Sequence, residues 1–391
     1  MRIIVIGGGI GGLTAALALK RRGLSCGVFE AGGRDRDQGA GLVLAPNGLA
    51  TLRQLEVCDQ VRKAGFEPRS MIIARSDGRI LQRIDADEWR RRYGFGPVAV
   101  HRAALHRVLV DALHGVPLRY DSAVARVRDE ANEPLTVMLA NGERFTGELV
   151  IAADGLRSPL RQQLFGPTRF RYAGQTTWRG IAEHRLDGES GQVLLEMWGR
   201  PPGLRFGVVP VDERCSYWFA TQSAPSGGRD PSVAAALDGL HTDFADFVPS
   251  VQTLLHQSQT LVRTDIFDFA PLASWHRGRV VLVGDAAHAT TPNLGQGANQ
   301  AIESAFVVAQ VLAKEELSAA LTNYERIRMP KAHWVTQQSW RYGQLTNLPG
   351  TLGRFARETA VAGASHASMQ KRTDRLFSLG FLPAAGTPAT R

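Results

Sequence analysis

Cysteine is scarce in this sequence, and its few copies lie far apart. The 391 residues include three, Cys26, Cys58 and Cys215. An odd number of distant cysteines, without a Cys-x-x-Cys pair or a Cys/His ligand spacing, indicates neither a disulfide framework nor a structural zinc site. We therefore expect no metal ion and a reducing, cytoplasmic location.

Long uncharged apolar runs are also missing. The stretch from Ile3 to Leu19 carries no charge, but it is crowded with glycine and has no cleavage-like ending. It therefore predicts a strand, a turn and a helix instead of a signal peptide. No other apolar run approaches the length needed to cross a membrane, so that we expect no membrane span.

Negative charge is in deficit, with 37 Asp plus Glu against 46 Lys plus Arg and a net charge of +9. Such an excess suits a partner that carries phosphates, which is true of a nucleic acid and of a phosphorylated nucleotide. The basic residues are scattered, and no array of aromatic and basic residues accompanies them. Charge alone is a weak indication, so we expect no nucleic-acid binding.

The first thirty residues carry a nucleotide-binding pattern. A strand over Met1 to Ile6, a glycine-rich turn, a helix over Leu13 to Arg22 and a second strand over Ser25 to Glu30 form one β-α-β unit. The turn satisfies G-x-G-x-x-G through Gly7, Gly9 and Gly12. These glycines allow, in order, the tight turn, the approach of backbone to a pyrophosphate and the close packing of helix on strand.

An acidic residue ends the second strand, as this pattern requires. Glu30 lies about twenty positions after the turn, where a carboxylate binds a ribose hydroxyl. The same carboxylate repels a 2′-phosphate. The site therefore favours FAD or NAD over NADP.

Two later strands also end in glycine and aspartate. The strand over Glu148 to Ala153 ends at Asp154-Gly155, and that over Arg279 to Val283 ends at Gly284-Asp285. These endings predict one nucleotide-binding sheet assembled from separated segments. Between them, residues 68–100 and 170–265 alternate apolar and polar positions, which is typical of an antiparallel sheet with one covered face. From residue 318 onward the composition is helical.

Two of these segments resemble motifs of one enzyme family. Val150 to Ser158 is similar to the Asp-Gly motif of single-component FAD-dependent aromatic-ring monooxygenases, the para-hydroxybenzoate hydroxylase family with its urate hydroxylase and zeaxanthin epoxidase relatives. Gly284 to Asn299 is similar to that family's Gly-Asp motif almost throughout. Smaller matches are Arg36 before Gly39-Ala40-Gly41, His101-Arg102, and Tyr172 through Gly180. The resemblance covers roughly residues 1 to 340.

This resemblance implies an α/β fold. A Rossmann-like FAD-binding domain of the para-hydroxybenzoate hydroxylase type is interleaved with an antiparallel-sheet substrate domain, and a helical C-terminal region follows. The predicted FAD-binding domain comprises residues 1–67, 98–169 and 270–317. The substrate-binding domain comprises 68–97 and 170–269, and the helical region 318–391.

The same resemblance implies roles in cofactor binding. Asp285 accepts hydrogen bonds from the ribityl hydroxyls, Asp154 lies near the pyrophosphate and the nicotinamide groove, and Arg102 contacts the flavin or its phosphates. Together with the glycine pattern, it predicts the following FAD-binding residues: Gly7, Gly9, Gly11, Gly12, Glu30, Arg36, Arg102, Asp154, Gly155, Gly284, Asp285, Pro292, Leu294, Gly295, Gln296, Gly297, Ala298 and Asn299. One departure is Ser304 after Glu303, where relatives often have a second acid.

The family resemblance also implies a reaction. NADPH or NADH reduces the flavin, dioxygen gives a flavin 4a-hydroperoxide, and one oxygen atom passes to an aromatic or heteroaromatic ring. A second G-x-G-x-x-G is absent, so we expect the nicotinamide cofactor to bind transiently, without a module of its own. Two alternatives stay open: an isoprenoid epoxidase or reductase on the same fold, and a non-catalytic flavoprotein that senses redox state.

Four residues in the middle region are candidates for the substrate pocket: Met197, Arg205, Phe206 and Trp218. Arg205 is also the candidate catalytic residue, because an arginine at the matching strand occurs in urate-hydroxylase-like relatives. A guanidinium group there could hold an anionic substrate or stabilise developing negative charge. An exposed arginine at a strand edge is the competing interpretation.

Overall fold

The computed structural model of the chain describes residues 1–34, 40–131 and 133–382. Its strands, in chain order, are β1 (Arg2–Ile6), β2 (Ser25–Phe29), β3 (Gly41–Leu44), β4 (Gly65–Phe66), β5 (Ser70–Arg75), β6 (Ile80–Asp85), β7 (Val98–His101), β8 (Leu118–Arg119), β9 (Val124–Arg128), β10 (Leu135–Leu139), β11 (Arg144–Gly147), β12 (Leu149–Ala152), β13 (Phe170–Ala182), β14 (Val193–Trp198), β15 (Arg205–Pro210), β16 (Ser216–Ser223), β17 (Ser258–Phe269), β18 (His276–Arg277) and β19 (Val280–Leu282).

The α-helices are α1 (Ile10–Lys20), α2 (Pro46–Gln54), α3 (Cys58–Lys63), α4 (Ala86–Tyr93), α5 (Arg102–Ala112), α6 (Pro159–Phe165), α7 (Val233–Asp243), α8 (Pro249–His256), α9 (Asp285–His288), α10 (Gly297–Leu312), α11 (Leu317–Thr346), α12 (Gly350–Ala362) and α13 (His366–Phe377). Helix α1 begins three residues earlier than predicted, because Gly11 and Gly12 belong to its first turn. Among the described helices, none is both long and apolar enough to span a membrane.

A six-stranded sheet contains the glycine-rich turn. Its strand order is β18-β19-β12-β1-β2-β8, and β19, β12, β1, β2 and β8 run parallel. Strand β1 is apolar and buried because both faces of the sheet are covered. Ile3 pairs with Cys26, whose Sγ contacts α1 through the carbonyl of Ala16, whereas Ile4 points the other way and packs on Gly147 of β11. Helices therefore cover one face and the β9–β11 meander covers the other.

A second, seven-stranded sheet has the order β17-β13-β16-β15-β14-β5-β6. All its pairings are antiparallel except that of β14 with β5. Helices α7 and α8 pack on one face, where Phe206 stacks on Trp218 and contacts Phe244 edge-on. The opposite face contacts the three-stranded sheet β3-β7-β4, since Val209 clusters with Ala99 of β7 and Val43 of β3. This mixed architecture confirms the predicted α/β fold class.

The long helix α11 connects the two layers. Near its start the hydroxyl of Tyr324 donates to the carbonyl of Leu282 at the end of β19. Near its end the backbone carbonyl of Ser339 accepts from the side-chain amide of Asn293, in the segment that precedes α10. The helix thereby fixes the position of that segment relative to the first sheet.

Candidate active site

The glycine-rich turn is shaped by contacts that exclude any larger side chain at two of its positions. Gly7 has a φ of +105°, and a Cβ there would lie 2.3 Å from the carbonyl oxygen of Ala153. A Cβ on Gly12 would lie 1.9 Å from the carbonyl oxygen of Gly7. The third glycine, Gly9, differs because a Cβ on it meets nothing within 4 Å. Open space therefore adjoins the start of α1.

The amides at the start of α1 face this open space without a side-chain cap. Gly9 occupies the N-cap position in an extended conformation, and the first turn holds no acidic residue. The first amides of a helix lack partners within it, and the helix dipole adds a partial positive charge. A phosphate is the group that such a terminus binds best. The turn thus fits the pyrophosphate of FAD.

Glu30 is held beside this turn by backbone amides. Its Oε2 accepts from the amide of Gly8 at 2.6 Å, and its Oε1 accepts from the amide of Gly32 at 2.7 Å. The ring of His106 bonds the carbonyl of Gly8 at 2.9 Å from the other side. The carboxylate is therefore fixed at the carboxyl end of β2, where the sequence places a ribose ligand.

Asp154, which follows β12, has one carboxylate oxygen in use and one without a partner. Oδ2 accepts from the amide of Leu160 at 3.3 Å, whereas the buried Oδ1 has no hydrogen bond in the described part of the chain. Burial raises the pKa of this carboxyl, although hydrogen bonds from Ser158 and the backbone oppose the rise. A buried oxygen that lacks a partner is suited to accept a hydrogen bond from a ligand.

Asp285 begins α9 directly after Gly284, whose φ is +65°. The side chain reaches solvent, yet the protein atoms around it raise its pKa by desolvation. The charges of Arg102 and Arg161 oppose this rise in the pKa. Arg102 itself starts α5, where its amide donates to the carbonyl of Ala40.

Strand order brings these groups to one edge. Because β2, β1, β12 and β19 are consecutive parallel neighbours, their carboxyl ends meet, and ligands of open α/β sheets bind at that edge. A Cβ on Gly11 would lie 3.4 Å from the Cβ of Ala301 in α10, and one on Gly284 would lie 3.2 Å from it. The starts of α1 and α10 therefore lie side by side above the same sheet edge.

The segment before α10 is fixed by amide side chains. Asn299 accepts from the amide of Ala45 at 2.9 Å and donates to the carbonyl of Gly295 at 2.9 Å. The buried Gln296 accepts from Asn47 at 3.0 Å. Four other predicted positions here are accessible to solvent: Pro292 and Gly295 are exposed, and Leu294 and Ala298 are half-buried. A Cβ on Gly297 meets nothing within 4 Å, so that backbone there is open to a flat ring.

A buried charge cluster lies beneath this segment. Glu303 pairs with Arg328 and, at 2.8 Å, with Lys331, and its carboxylate also accepts from Asn47. Ser304, in place of the second acid, accepts from Arg328 at 3.2 Å and bonds the ring of His288 at 2.8 Å. The sequence did not identify the two basic partners, since they lie on α11 and no local spacing relates them to Glu303.

Arg205 is buried, with 3% of its side chain exposed, and its three nitrogens are all engaged. Nε donates to Thr221 at 3.3 Å, Nη1 to Glu196 at 3.3 Å, and Nη2 to Asn293 at 2.8 Å. The interpretation as an exposed arginine at a strand edge is therefore wrong. The side chain spans from the seven-stranded sheet to the segment that precedes α10.

Met197, Phe206 and Trp218 do not face this side of the sheet. They belong to the core between the seven-stranded sheet and helices α7 and α8, and each is at most 1% exposed. Their assignment to the substrate pocket is therefore corrected. The neighbouring residues in the strands point to the opposite face, among them Tyr217, whose ring would contact a Cβ on Gly41 of β3.

Two further observations complete the picture of the predicted residues. Arg36 lies outside the described residues. Gly155 has a φ of +84°, which turns the chain after Asp154.

A cavity of about 630 Å³ lies at the amino ends of β1 and β2, and no predicted site residue lines it. The helix termini and both aspartates meet instead at the carboxyl edge of the sheet.

Comparison with known proteins agrees with this geometry. Residues 1–339 match the FAD-binding-domain family. The chain is 36% identical to an aurachin C monooxygenase/isomerase of Stigmatella aurantiaca over 389 residues, 98% of this chain and 99% of the relative. It is 35% identical to an FAD-dependent urate hydroxylase of Klebsiella pneumoniae over 337 residues, 84% and 86% of the two chains. The crystal structure of Klebsiella pneumoniae HpxO with FAD and uric acid superposes with a TM-score of 0.88, at 30% identity and 96% coverage of both chains. The chain thus belongs to the FAD-binding-domain family and is an FAD-dependent monooxygenase.

Proposed function

We propose that this enzyme hydroxylates a small aromatic or heteroaromatic molecule with NAD(P)H and dioxygen. The observation that carries the proposal is the meeting of two helix starts and two aspartates at one sheet edge, directly beside the sheet that bears Arg205. When bound, the flavin accepts a hydride from NAD(P)H and activates dioxygen. The names of its relatives, which include a urate hydroxylase, support a ring as the oxygen acceptor.

The residues at the edge have separate binding roles in this proposal. The amides after Gly9 bind the pyrophosphate, Glu30 a ribose hydroxyl, and Asp285 the ribityl chain. Asp154 offers its free oxygen to the cofactor. Support comes from the open space at Gly9 and from the unpartnered Oδ1 of Asp154. These roles are proposals that the variants below test.

The substrate lies, in this proposal, between the seven-stranded sheet and the segment that precedes α10. Arg205 crosses this gap to Asn293, and aromatic side chains such as Tyr217 and Phe219 stand on the same face. Apolar contacts of Val209 with Ala99 close the gap at one side. Exclusion of water protects a reactive oxygen donor from side reactions. We therefore assign Arg205 the task of positioning the substrate beside the flavin.

Purified protein tests the proposal directly. It should be yellow, and its consumption of dioxygen with NADH or NADPH should rise when an aromatic ligand is added. Labelled dioxygen should appear in a ring hydroxyl of the product, whereas an epoxide would support the isoprenoid epoxidase instead. Protein that cannot take up FAD would refute the proposal. We also propose a cytoplasmic location, for which the support is that all three cysteines are free.

A further inference from the structure

We infer that the substrate of this enzyme is electrically neutral and that Glu196 enforces this choice. The inference rests on the proposed function and gives its substrate class. It reverses the expectation that Arg205 serves as an anion receptor. The structural basis is the ion pair between these two residues and the aromatic side chains beside it.

The charge of Arg205 is already compensated inside the protein. Its side chain is 3% exposed, and that of Glu196 is 16% exposed, so the pair is withdrawn from solvent. Each of the three guanidinium nitrogens has a protein acceptor, in Thr221, Glu196 and Asn293. A bidentate clasp of a substrate carboxylate needs two guanidinium donors. Arg205 keeps one further N–H on each Nη for a ligand, but its positive charge is already offset by Glu196.

Glu196 is fixed in this position by its neighbours. Its Oε1 accepts from the indole of Trp198 at 2.7 Å as well as from Arg205. Glu196 and Trp198 lie on one face of β14, and Trp198 pairs across the sheet with Arg205. An anionic substrate beside Arg205 would therefore also lie beside a fixed carboxylate. Like charges in a partly desolvated site repel each other.

The wall beside the ion pair is mainly aromatic. Arg357, whose guanidinium lies 5.9 Å from the ring centroid of Trp198, donates to the backbone carbonyls of Thr346 and Gly199. Tyr342 meets Trp198 edge-on with ring centroids 6.2 Å apart, and Tyr217 lies 6.4 Å from Phe219. Burial raises the pKa of Tyr342, and Glu196 raises it further while Arg205 lowers it. The phenol therefore stays neutral at physiological pH and lies close to the ion pair. Rings and a phenol hydroxyl suit a neutral ring system with polar substituents.

A second arginine, Arg179, lies on this face. Burial raises the pKa of Tyr217 and the charge of Arg179 lowers it in part, but the guanidinium of Arg179 is turned away from the Arg205–Glu196 pair. Arg179 lies on β13, two strands from Arg205 in the sheet order β13-β16-β15. Its Nη2 donates to the hydroxyl of Thr264 on the outer strand β17 at 3.0 Å. The guanidinium group therefore points toward the sheet edge, away from Asn293. The segment before α10 itself contributes the neutral amide of Asn293 to the site.

Matched ligand pairs that differ only in charge test the inference on the wild-type holoenzyme. Suitable pairs are 4-hydroxybenzamide with 4-hydroxybenzoate and salicylamide with salicylate, with urate as a further anion. We expect each neutral member to bind about tenfold more tightly by titration calorimetry, as the charge of Glu196 implies. The neutral member should also give the greater stimulation of NADH oxidation. Equal or tighter binding of the anions would overturn the inference.

Glu196→Gln provides the decisive variant. It leaves the charge of Arg205 uncompensated, so we expect anion binding to tighten by about tenfold and the preference to reverse. Glu196→Asp keeps the charge and should keep the preference for neutral ligands. Glu189→Gln is the matched control, because Glu189 is exposed and pairs with Arg83 at the surface. FAD content and the thermal midpoint verify that each variant is folded.

The outcomes separate this inference from the function on which it rests. Wild type that binds the anions as tightly as their neutral partners, or Glu196→Gln with unchanged ligand preference, refutes the neutral-substrate inference and leaves the monooxygenase intact. NADH oxidation that no ligand stimulates, in protein that contains FAD, refutes the proposed function and this inference with it. Protein that cannot bind FAD also refutes both the proposed function and this inference, before any ligand is tested.

Discussion

Replacement of Gly9 by valine separates cofactor binding from folding. Gly9 has φ −77° and ψ −179°, an extended conformation that valine adopts without strain. A Cβ at this position meets no atom within 4 Å. We therefore expect Gly9→Val to fold, with the free energy of unfolding lowered by only about 1 kcal/mol because valine is a poorer N-cap residue than glycine. The added methyl groups would instead occupy the space in front of the α1 amides.

The expected loss of affinity follows from the contacts that those methyl groups block. A hydrogen bond to a charged group contributes about 1.5–3 kcal/mol. Loss of two amide–phosphate bonds therefore weakens binding by about 3–6 kcal/mol, or roughly 10²–10⁴-fold in Kd. The wild type should keep FAD through purification, whereas Gly9→Val should be colourless. Titration of the apoproteins with FAD, followed by fluorescence quenching, measures the difference.

A matched glycine variant distinguishes this effect from general damage. Gly239 lies exposed on α7, far along the chain from the cofactor edge, and a Cβ on it also meets nothing within 4 Å. Gly239→Val should bind FAD like the wild type. If Gly9→Val retains stoichiometric flavin, the pyrophosphate does not lie at the start of α1 and our reasoning fails. If Gly9→Val unfolds in the apo form, the space at Gly9 is not open as described.

Three further predictions address the other parts of the site. Asp285→Ala should raise the Kd for FAD by about 10–100-fold through loss of bonds to a charged group, whereas the exposed Asp238→Ala should not; flavin titration that shows equal affinities would contradict the assignment. Arg328→Met leaves the fully buried Glu303 without its main partner and should lower the free energy of unfolding by about 3–5 kcal/mol, which denaturant titration measures; an unchanged midpoint would speak against the charge cluster. Burial lowers the pKa of His288 to about 3 from 6.5, so the unfolded chain takes up the proton first and stability falls as pH drops from about 6.5 toward 3, by about 1.4 kcal/mol per unit. His288→Gln should remove that part of the slope between pH 6 and 4, and an unaltered slope would show that His288 is not the titrating group.

The cofactor edge could be predicted from sequence because its requirements are local. A Cβ on Gly7 or Gly12 would lie 2.3 or 1.9 Å from a backbone carbonyl oxygen, so only glycine fits there and the spacing is visible in the sequence. Glu30 is placed by the length of one β-α-β unit. The family and its FAD dependence were confirmed, whereas the domain limits and the role of each site residue remain predictions. The contacts of Glu303 with Arg328 and Lys331 could not be foreseen, since they depend on how α11 packs on α10.

The prediction of the substrate-pocket residues was wrong for a physical reason that concerns the strands of the second sheet. Every residue of β15 is buried, because helices α7 and α8 cover one face and strands β3 and β7 cover the other. A strand covered on both faces lacks the polar–apolar alternation that reveals which side is which.

The alternation of side chains along a strand was nevertheless enough to show that the predicted pocket residues could not all lie on one face. Arg205 and Phe206 are consecutive in one strand, so that they must point to opposite faces and cannot line one pocket. Register extends this argument across the sheet: Met197 pairs with Phe206, and Trp218 pairs with Val208, so these side chains share the face opposite to Arg205. A buried guanidinium needs polar partners, and the face toward the segment before α10 offers Asn293. The contact of Arg205 with Asn293 therefore identifies the face of the sheet that meets the segment before α10, and by register Glu196 shares that face.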